Sequence, residues 1–550
     1  MRDASGIPTI PMSALGRAAQ LEAMASGPPL DVLVVGGGIT GVGIAMDAAS
    51  RGLRVGIVER DDWACGTSSR SSKMIHGGLR YLATGDVGVV RDSLRERSRL
   101  QRNAAHLVRP LPMLLPAYGR GVVPWQRARL ASGLWTYEAL GHRKAAGSLH
   151  RWVDVPELTR LVPNVGLRSR AGGGALRGAY GYHDGSADDV RLVLATLRTA
   201  VALGAFAVNG VPMLRLLRDG DRVCGAVVGG DVAAGVRGAR GGELELEARV
   251  VVNATGVWAD ATVADADGTG AGFRIMPSKG IHLTVARDRA GIASGIAFFE
   301  QMGNANVFIE PWQDDLAIVG TTDAPYTGDL RTPDVRAEEI DWLLGTVNQF
   351  IRDPLTPSDV IASWAGLRPL IAPEHDAPDK SRDVSRRHML VDRPGLVTIT
   401  GGKLTAYRSM AELAVDAVAR QIGHRRESGT RDLRLDGWRD PAGPGEIGDL
   451  AARMRIDRGQ VRQLLRRHGA NVAAIADLVD QDPDLADRVH PARPYIAAEV
   501  VWAARHEQAR TPADVLDRRL RIGLETADPG TATAFVSDLL RAEADLAPSR

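Results

Sequence analysis

Cysteine is nearly absent. Cys65 and Cys224 are the two in 550 residues, too few for a disulfide framework and too far apart for any metal-ligand spacing. A reducing compartment, the cytoplasm, fits that usage, and no bound metal is expected. Nor is there an apolar run of the roughly 18–20 residues that a membrane-crossing helix needs. The first 29 residues lack a charged-then-apolar leader and end in Gly27-Pro28-Pro29, so they read as a flexible tail. Charge of one sign is scarce as well: 68 Lys and Arg against 66 Asp and Glu give no electrostatic case for nucleic acid, which is not expected as a partner. There is no internal repeat and no long low-complexity tract. A 44% hydrophobic, 24% charged composition instead describes an ordinary globular chain, long enough for two or three domains.

The clearest local pattern begins at Leu30. Leu-Asp-Val-Leu-Val-Val is the short β-branched run of a buried parallel strand. It leads into Gly36-Gly37-Gly38-Ile39-Thr40-Gly41, then a helical spacing from Val42 to Arg51, a stop at Gly52 and a second strand, Leu53 to Glu59. This is a complete βαβ unit. Further on, a helix is expected over Asp188–Leu203, and a strand over 243–252 runs into Asn253-Ala254-Thr255-Gly256. Residues 273–324 alternate as antiparallel strands do. A strand at 396–400 meets Gly401-Gly402 and a helix to about Gln421, and beyond the Pro/Gly-rich joint at 440–446 the rest reads as helices.

Gly36, Gly38 and Gly41 have the G-x-G-x-x-G spacing between a strand and a helix. The first permits the tight turn, the second lets a pyrophosphate approach the backbone, and the third lets helix and strand pack closely. The helix N-terminus adds free N–H groups and the positive end of its dipole. Glu59 closes the second strand, where a carboxylate accepts hydrogen bonds from ribose hydroxyls and repels a 2′-phosphate. A dinucleotide is therefore expected, but these features do not separate FAD from NAD.

The segment Cys65-Gly66-Thr67-Ser68-Ser69-Arg70-Ser71-Ser72-Lys73-Met74-Ile75-His76-Gly77-Gly78-Leu79-Arg80-Tyr81-Leu82 closely resembles the one that follows the dinucleotide unit in FAD-dependent glycerol-3-phosphate dehydrogenases. Asn253–Gly256, Pro277-Ser278-Lys279-Gly280-Ile281-His282, Gly320-Thr321-Thr322-Asp323, Gly366–Leu370, Ser385-Arg386 and Gly401–Arg408 match in family order, and the resemblance spans roughly residues 30–525. Thr405-Ala406-Tyr407 replaces the more usual Thr-Thr-Tyr, and Arg70 stands where a small residue is frequent. The resemblance implies an α/β fold: a Rossmann-type FAD-binding domain of the D-amino-acid-oxidase-like superfamily, an antiparallel-sheet substrate domain and a C-terminal helical cap. The boundaries it suggests put FAD-binding segments at 30–118, 180–272 and 380–424. A substrate- or membrane-facing insertion then falls at 119–179, the substrate domain at 273–379 and the cap at 425–550. It also implies FAD contacts from Ser68, Ser69, Ser72, Gly256, Gly401, Gly402 and Leu404.

Oxidising a secondary alcohol requires a base for the hydroxyl proton, a donor beside the C2 oxygen and fixed cations for any phosphate. His76 suits the first task, since a neutral imidazole titrates near working pH. Arg368 and Arg80 offer planar forked donors, Lys403 and Arg386 are further cations, and Tyr81 can help to close the pocket. Lys279, His282 and Thr322 lie in matching motifs without an assigned role. So many cations in one pocket would be costly without an anion, which favours a phosphorylated substrate. The expectation is oxidation of glycerol 3-phosphate to dihydroxyacetone phosphate, with electrons passing to a membrane quinone. A glycerol-3-phosphate oxidase using oxygen, an FAD-dependent amine oxidase of the same fold and a flavin-binding protein without turnover are the alternatives.

From Arg91 to Arg151 there are 12 basic residues against 3 acidic ones. Between Pro110 and Trp152 they interleave with Trp125, Leu130, Leu134, Trp135, Tyr137 and Leu140. Such a stretch is either an interfacial helix on anionic lipid or an amphipathic helix facing the core. A quinone acceptor tips the expectation toward the inner face of the cytoplasmic membrane, and a homodimer is left open.

Overall fold

The computed structural model describes residues 12–78, 87–119, 134, 135, 137, 150–170, 174–267, 273–301, 305–373 and 388–545. Strand Leu30–Val35 lies at the centre of the first sheet, parallel to Val55–Glu59 on one side and to Leu244–Asn253 on the other. Phe206–Asn209 extends the sheet beyond Val55–Glu59, and Leu396–Thr400 and Met389–Arg393 extend it beyond Leu244–Asn253. The expected βαβ unit is present, with helix Ile39–Ser50 as its crossover.

Alternation along these strands sends side chains to two cores. Val32, Val34, Val250 and Val252 meet helices Ile39–Ser50, Asp189–Ala202 and Tyr407–Ile422. Leu33, Val35 and Val251 face the opposite layer, which includes Leu21 and Met24. That second layer corrects the expectation of a flexible tail over 1–29 for its described part, residues 12–29. Residues Arg17–Ala25 form a helix with Gln20, Leu21 and Met24 buried, and the Gln20 side-chain oxygen accepts from the Ala207 amide at 3.2 Å. The physical reason is burial: this helix covers a sheet face that would otherwise expose Leu30 and Leu33. Gly27-Pro28-Pro29 is its turn into the first strand.

Among the described residues the second sheet has eleven strands and is almost wholly antiparallel, the one parallel pair being Ile296–Gln301 with Arg109–Tyr118. Its longest pairing joins Phe273–Ala286 to Val360–Pro373, placing Ser278 opposite Arg368 and His282 opposite Trp364. Arg109–Tyr118 pairs with Gly174–Ser186 in this same sheet. The expected segment boundaries at 118 and 180 are therefore corrected. Residues 109–118 and 174–186 belong to the second sheet, because two strands flanking the insertion find each other as partners rather than joining the parallel sheet. The helices from Pro444–Met454 to Gly530–Asp545 enclose cores of their own. No helix among the described residues is long and apolar enough to cross a membrane.

Candidate flavin and substrate site

The first strand ends at Val35 and the chain turns through Gly36 into helix Ile39–Ser50, whose N-cap Gly38 is extended and brings no side-chain acceptor. Gly41 is fixed by contact: a Cβ there would sit 1.9 Å from the Gly36 carbonyl oxygen, so only glycine lets the helix lie this close to the turn. Ser68 Oγ accepts from the Ile39 amide at 3.0 Å, tying the following loop to the start of the helix. Glu59 is buried at the end of its strand. One carboxylate oxygen accepts from the Gly37 amide at 2.6 Å, the other from the Asp61 amide at 2.8 Å, and burial pushes its pKa above the usual carboxylate value. Its first structural task is thus to hold the glycine turn. The oxygen bonded to Asp61 is also reached by the Cys65 thiol at 3.6 Å, and Glu59 lines the cavity beside that turn.

That cavity, about 330 Å³, runs from Gly36–Gly38 past Glu59 and Ser68 to Gly256 and on to Gly401–Leu404. At the far end Gly402 has φ +74°, and a Cβ would meet the Met410 sulfur at 2.3 Å, so the turn before Lys403 requires glycine. Lys403 and Leu404 line the cavity. Thr405 then bonds the backbone of His76 on both sides, its Oγ1 accepting from the His76 amide at 3.1 Å and donating to the His76 carbonyl at 3.2 Å. His76 is half-buried. Two loops more than 300 residues apart are thereby joined at His76, the position assigned a base, and at Thr405, two residues after Lys403.

Arg368 reaches this region along strand Val360–Pro373. Its neighbour Pro369 lines the cavity, and the Leu367 carbonyl accepts from Thr67 Oγ1 at 2.7 Å. The guanidinium itself donates to the Thr322 carbonyl, both nitrogens at 3.2 Å, and lies 3.4 Å from Asp323. It is held by the Gly320–Asp323 turn, so two of the matching motifs meet in space. Arg80, Tyr81 and Arg386 lie outside the described residues.

The sequence matches the FAD dependent oxidoreductase family over residues 31–408 and the C-terminal domain of alpha-glycerophosphate oxidase over 428–547. It is 39% identical to glycerol-3-phosphate dehydrogenase 2 of Mycobacterium tuberculosis over 511 residues, 92% of this chain and 83% of that protein. Identity to the Mycobacterium leprae glycerol-3-phosphate dehydrogenase is also 39%, over 96% of this chain and 87% of the relative. Among solved structures, the Bacillus halodurans glycerol-3-phosphate dehydrogenase complexed with FAD superposes with a TM-score of 0.75 at 28% identity, covering 97% of this chain and 94% of that one. The chain belongs to the FAD-dependent glycerol-3-phosphate dehydrogenase family. FAD is its cofactor, and the α/β fold with an antiparallel sheet and a C-terminal helical domain is the family's fold.

The cavity fits that cofactor. It is elongated, with a glycine turn and helix N-terminus at one end and a second glycine turn, Gly401-Gly402, at the other, as a dinucleotide with a ring at each end requires. Ser69 is buried and its hydroxyl donates to the Gly66 carbonyl at 3.3 Å. Ser72 is bonded to His282 Nε2 at 2.8 Å. His282, left without a role by the sequence, is fully buried and stacked on Trp364 at 5.1 Å. Burial first, then Arg368 and Lys73, push its pKa down to about 3, so it is neutral. Lys279 is a staple of the substrate domain, 2.8 Å from Glu339, and Thr322 Oγ1 accepts from the Ile281 amide at 3.0 Å.

Among the described residues, Glu59, Asp61 and Cys65 are the one group of such side chains close enough to share a cation. Burial and then Glu59 drive the Cys65 thiol pKa upward, which opposes a thiolate ligand.

Sequence reasoning missed a group behind the flavin loop: buried Asp189, with the two buried cations Lys73 and Arg521 both paired to it. The sequence signalled a helix over Asp188–Leu203 and a helical cap that includes Arg521, but no contact between them.

Proposed function

We propose that this chain oxidises sn-glycerol 3-phosphate to dihydroxyacetone phosphate and delivers the electrons to a membrane quinone. Bound in the cavity, FAD supplies the hydride acceptor. His76 takes the C2 hydroxyl proton on its imidazole. Arg368 supports the C2 oxygen with forked donors, while Lys403, Arg80 and Arg386 hold the phosphate and Tyr81 closes over it. The observation that carries this reading is the pair of bonds between Thr405 and the His76 backbone, which puts the base candidate beside the Lys403 turn at one end of the cofactor cavity. The 39% identity to dehydrogenases over more than nine-tenths of the chain supports the substrate.

The test is anaerobic stopped-flow mixing of the purified yellow protein with glycerol 3-phosphate, glycerol or amino acids. Bleaching by glycerol 3-phosphate alone is expected. Equal bleaching by glycerol would remove the phosphate-binding role of the cations, and bleaching by an amino acid would turn the assignment to an amine oxidase. Reoxidation of the bleached protein should be faster with a soluble quinone than with dissolved oxygen; the reverse order would make it an oxidase.

A further inference from the structure

We infer that Arg521, from the C-terminal domain, is a positioning residue for the flavin loop, fixing from behind the segment that carries Ser68, Ser72 and His76. This rests on the reading of His76 as the substrate base.

Arg521 is fully buried and comes from a segment 452 residues distant in sequence from the loop it touches. One guanidinium nitrogen donates to the Ser69 carbonyl at 2.7 Å and to Asp189 Oδ1 at 2.9 Å, and the other terminal nitrogen donates to the Asp517 carbonyl at 3.2 Å. Asp189 gathers the rest of the loop. Its Oδ1 also accepts from Lys73 Nζ at 3.1 Å, and its Oδ2 from the Ser71 amide at 3.1 Å and the Ser71 hydroxyl at 2.7 Å. The Lys73 carbonyl in turn accepts from the Ala187 amide at 2.9 Å. Residues 69, 71 and 73 are thus anchored to one carboxylate and one guanidinium, the Lys73 and Arg521 bonds buried and the Ser71 bonds part-buried.

Two further features mark this as a constrained device. Arg521 has φ +66° and Lys73 has φ +57°, a left-handed conformation that non-glycine residues adopt only when their surroundings hold them there. Two cations also share the single Asp189 carboxylate. Losing either cation's geometry therefore redistributes the other. The loop leaves Lys73 as the short strand Met74–Ile75, paired with Gly185 and Ser186, and reaches His76 one residue later. The His76 backbone is held by Thr405, and the Asp189–Arg521 anchor fixes the chain up to Lys73, three residues before it. A role is thereby assigned to the C-terminal domain: it completes the flavin site without touching the cavity.

The test uses the full-length, FAD-loaded protein with Arg521→Met, Arg521→Lys and Asp189→Asn. FAD absorbance, hydrogen–deuterium exchange of the amides at 66–78 and of the C-terminal helices, and single-turnover flavin reduction across glycerol 3-phosphate concentrations are measured together. The expected result for Arg521→Met is retained FAD and faster exchange at 66–78 with the C-terminal helices still protected. The limiting reduction rate should be lower by about tenfold or more while the apparent substrate affinity changes less than about threefold. Arg521→Lys should recover part of the rate, since an ammonium still reaches the Ser69 carbonyl. Unchanged exchange at 66–78, or a limiting rate within about twofold of the parent, in any variant that holds FAD would overturn the inference. So would failure of all three to fold, which would leave Arg521 a plain domain staple. If glycerol 3-phosphate does not bleach the parent protein, the functional reading fails instead, and the exchange measurement still decides whether Arg521 orders the loop.

Discussion

At the scale of single residues, the site depends on backbone contacts as much as on side-chain chemistry. Thr405 reaches His76 through its amide and carbonyl, so replacing the imidazole leaves the loop anchored. His76→Asn should therefore keep the FAD spectrum while slowing flavin reduction by glycerol 3-phosphate about a hundredfold or more, the range for loss of a positioned base. Stopped-flow absorbance checks it, and reduction at the parent rate would remove His76 as base. The types His76, Arg368 and Lys403 were legible in sequence because each sits in a compact motif. What Glu59 does was only half legible. A carboxylate at a strand end points to a ribose, but its bonds to the Gly37 and Asp61 amides depend on how the turn closes over it. The contact that Arg521 makes was not legible, since a guanidinium paired with a carboxylate 332 residues away leaves no periodic or local trace.

At the scale of elements, the βαβ unit was readable because its information is local: a β-branched run, three glycines at fixed spacing and a helical apolar period. Helix Arg17–Ala25 was not, because its stability comes from the sheet face it covers rather than from its own nine residues. Residues 109–118 were grouped with the FAD-binding segment for a related reason, since their partner strand Gly174–Ser186 lies across the insertion. The glycine turn offers a direct test. Gly41→Ala places a methyl group against the Gly36 carbonyl, so either the helix moves away or the turn opens. The expected outcome is a protein purified with most of its FAD missing and destabilised by about 1–3 kcal/mol, the usual cost of forcing a methyl group into a filled space. Flavin content by absorbance and a denaturant titration measure both. Full FAD occupancy would show that the close approach is dispensable.

At the scale of the whole molecule, two regions yield tests: a stretch proposed to meet the membrane and a buried seam between domains. The first is the basic, aromatic stretch around residues 119–152, most of which lies outside the described residues. Neutralising Arg127, Arg129, Arg143 and Lys144 together should release the protein from anionic liposomes in a co-sedimentation assay, since each cation near such a surface contributes about 1 kcal/mol. Unchanged binding would end the membrane proposal. The second is the seam between the substrate and C-terminal domains, where Glu525 accepts from Tyr495 at 2.8 Å, Gln313 at 2.7 Å and Trp312 at 3.0 Å. Burial pushes its pKa up to about 7 against those hydrogen bonds. An acid whose folded-state pKa lies above its unfolded value stabilises the fold fully below the unfolded value and loses that contribution as pH rises through the folded one. For Glu525 the window runs from about 4.5 to about 7, with at most about 3 kcal/mol at stake. Glu525→Gln removes this dependence while keeping an acceptor for the same three donors. The parent should therefore exceed the variant in melting temperature by most at pH 5 and by least at pH 8, because only the parent must bury a charge as the pH climbs. Buried His282, whose pKa is pushed down to about 3, acts in the opposite sense, favouring the fold above pH 6.5. It is common to both proteins and cancels in the difference. A gap that stays constant or widens toward pH 8 would mean that Glu525 is ionised throughout.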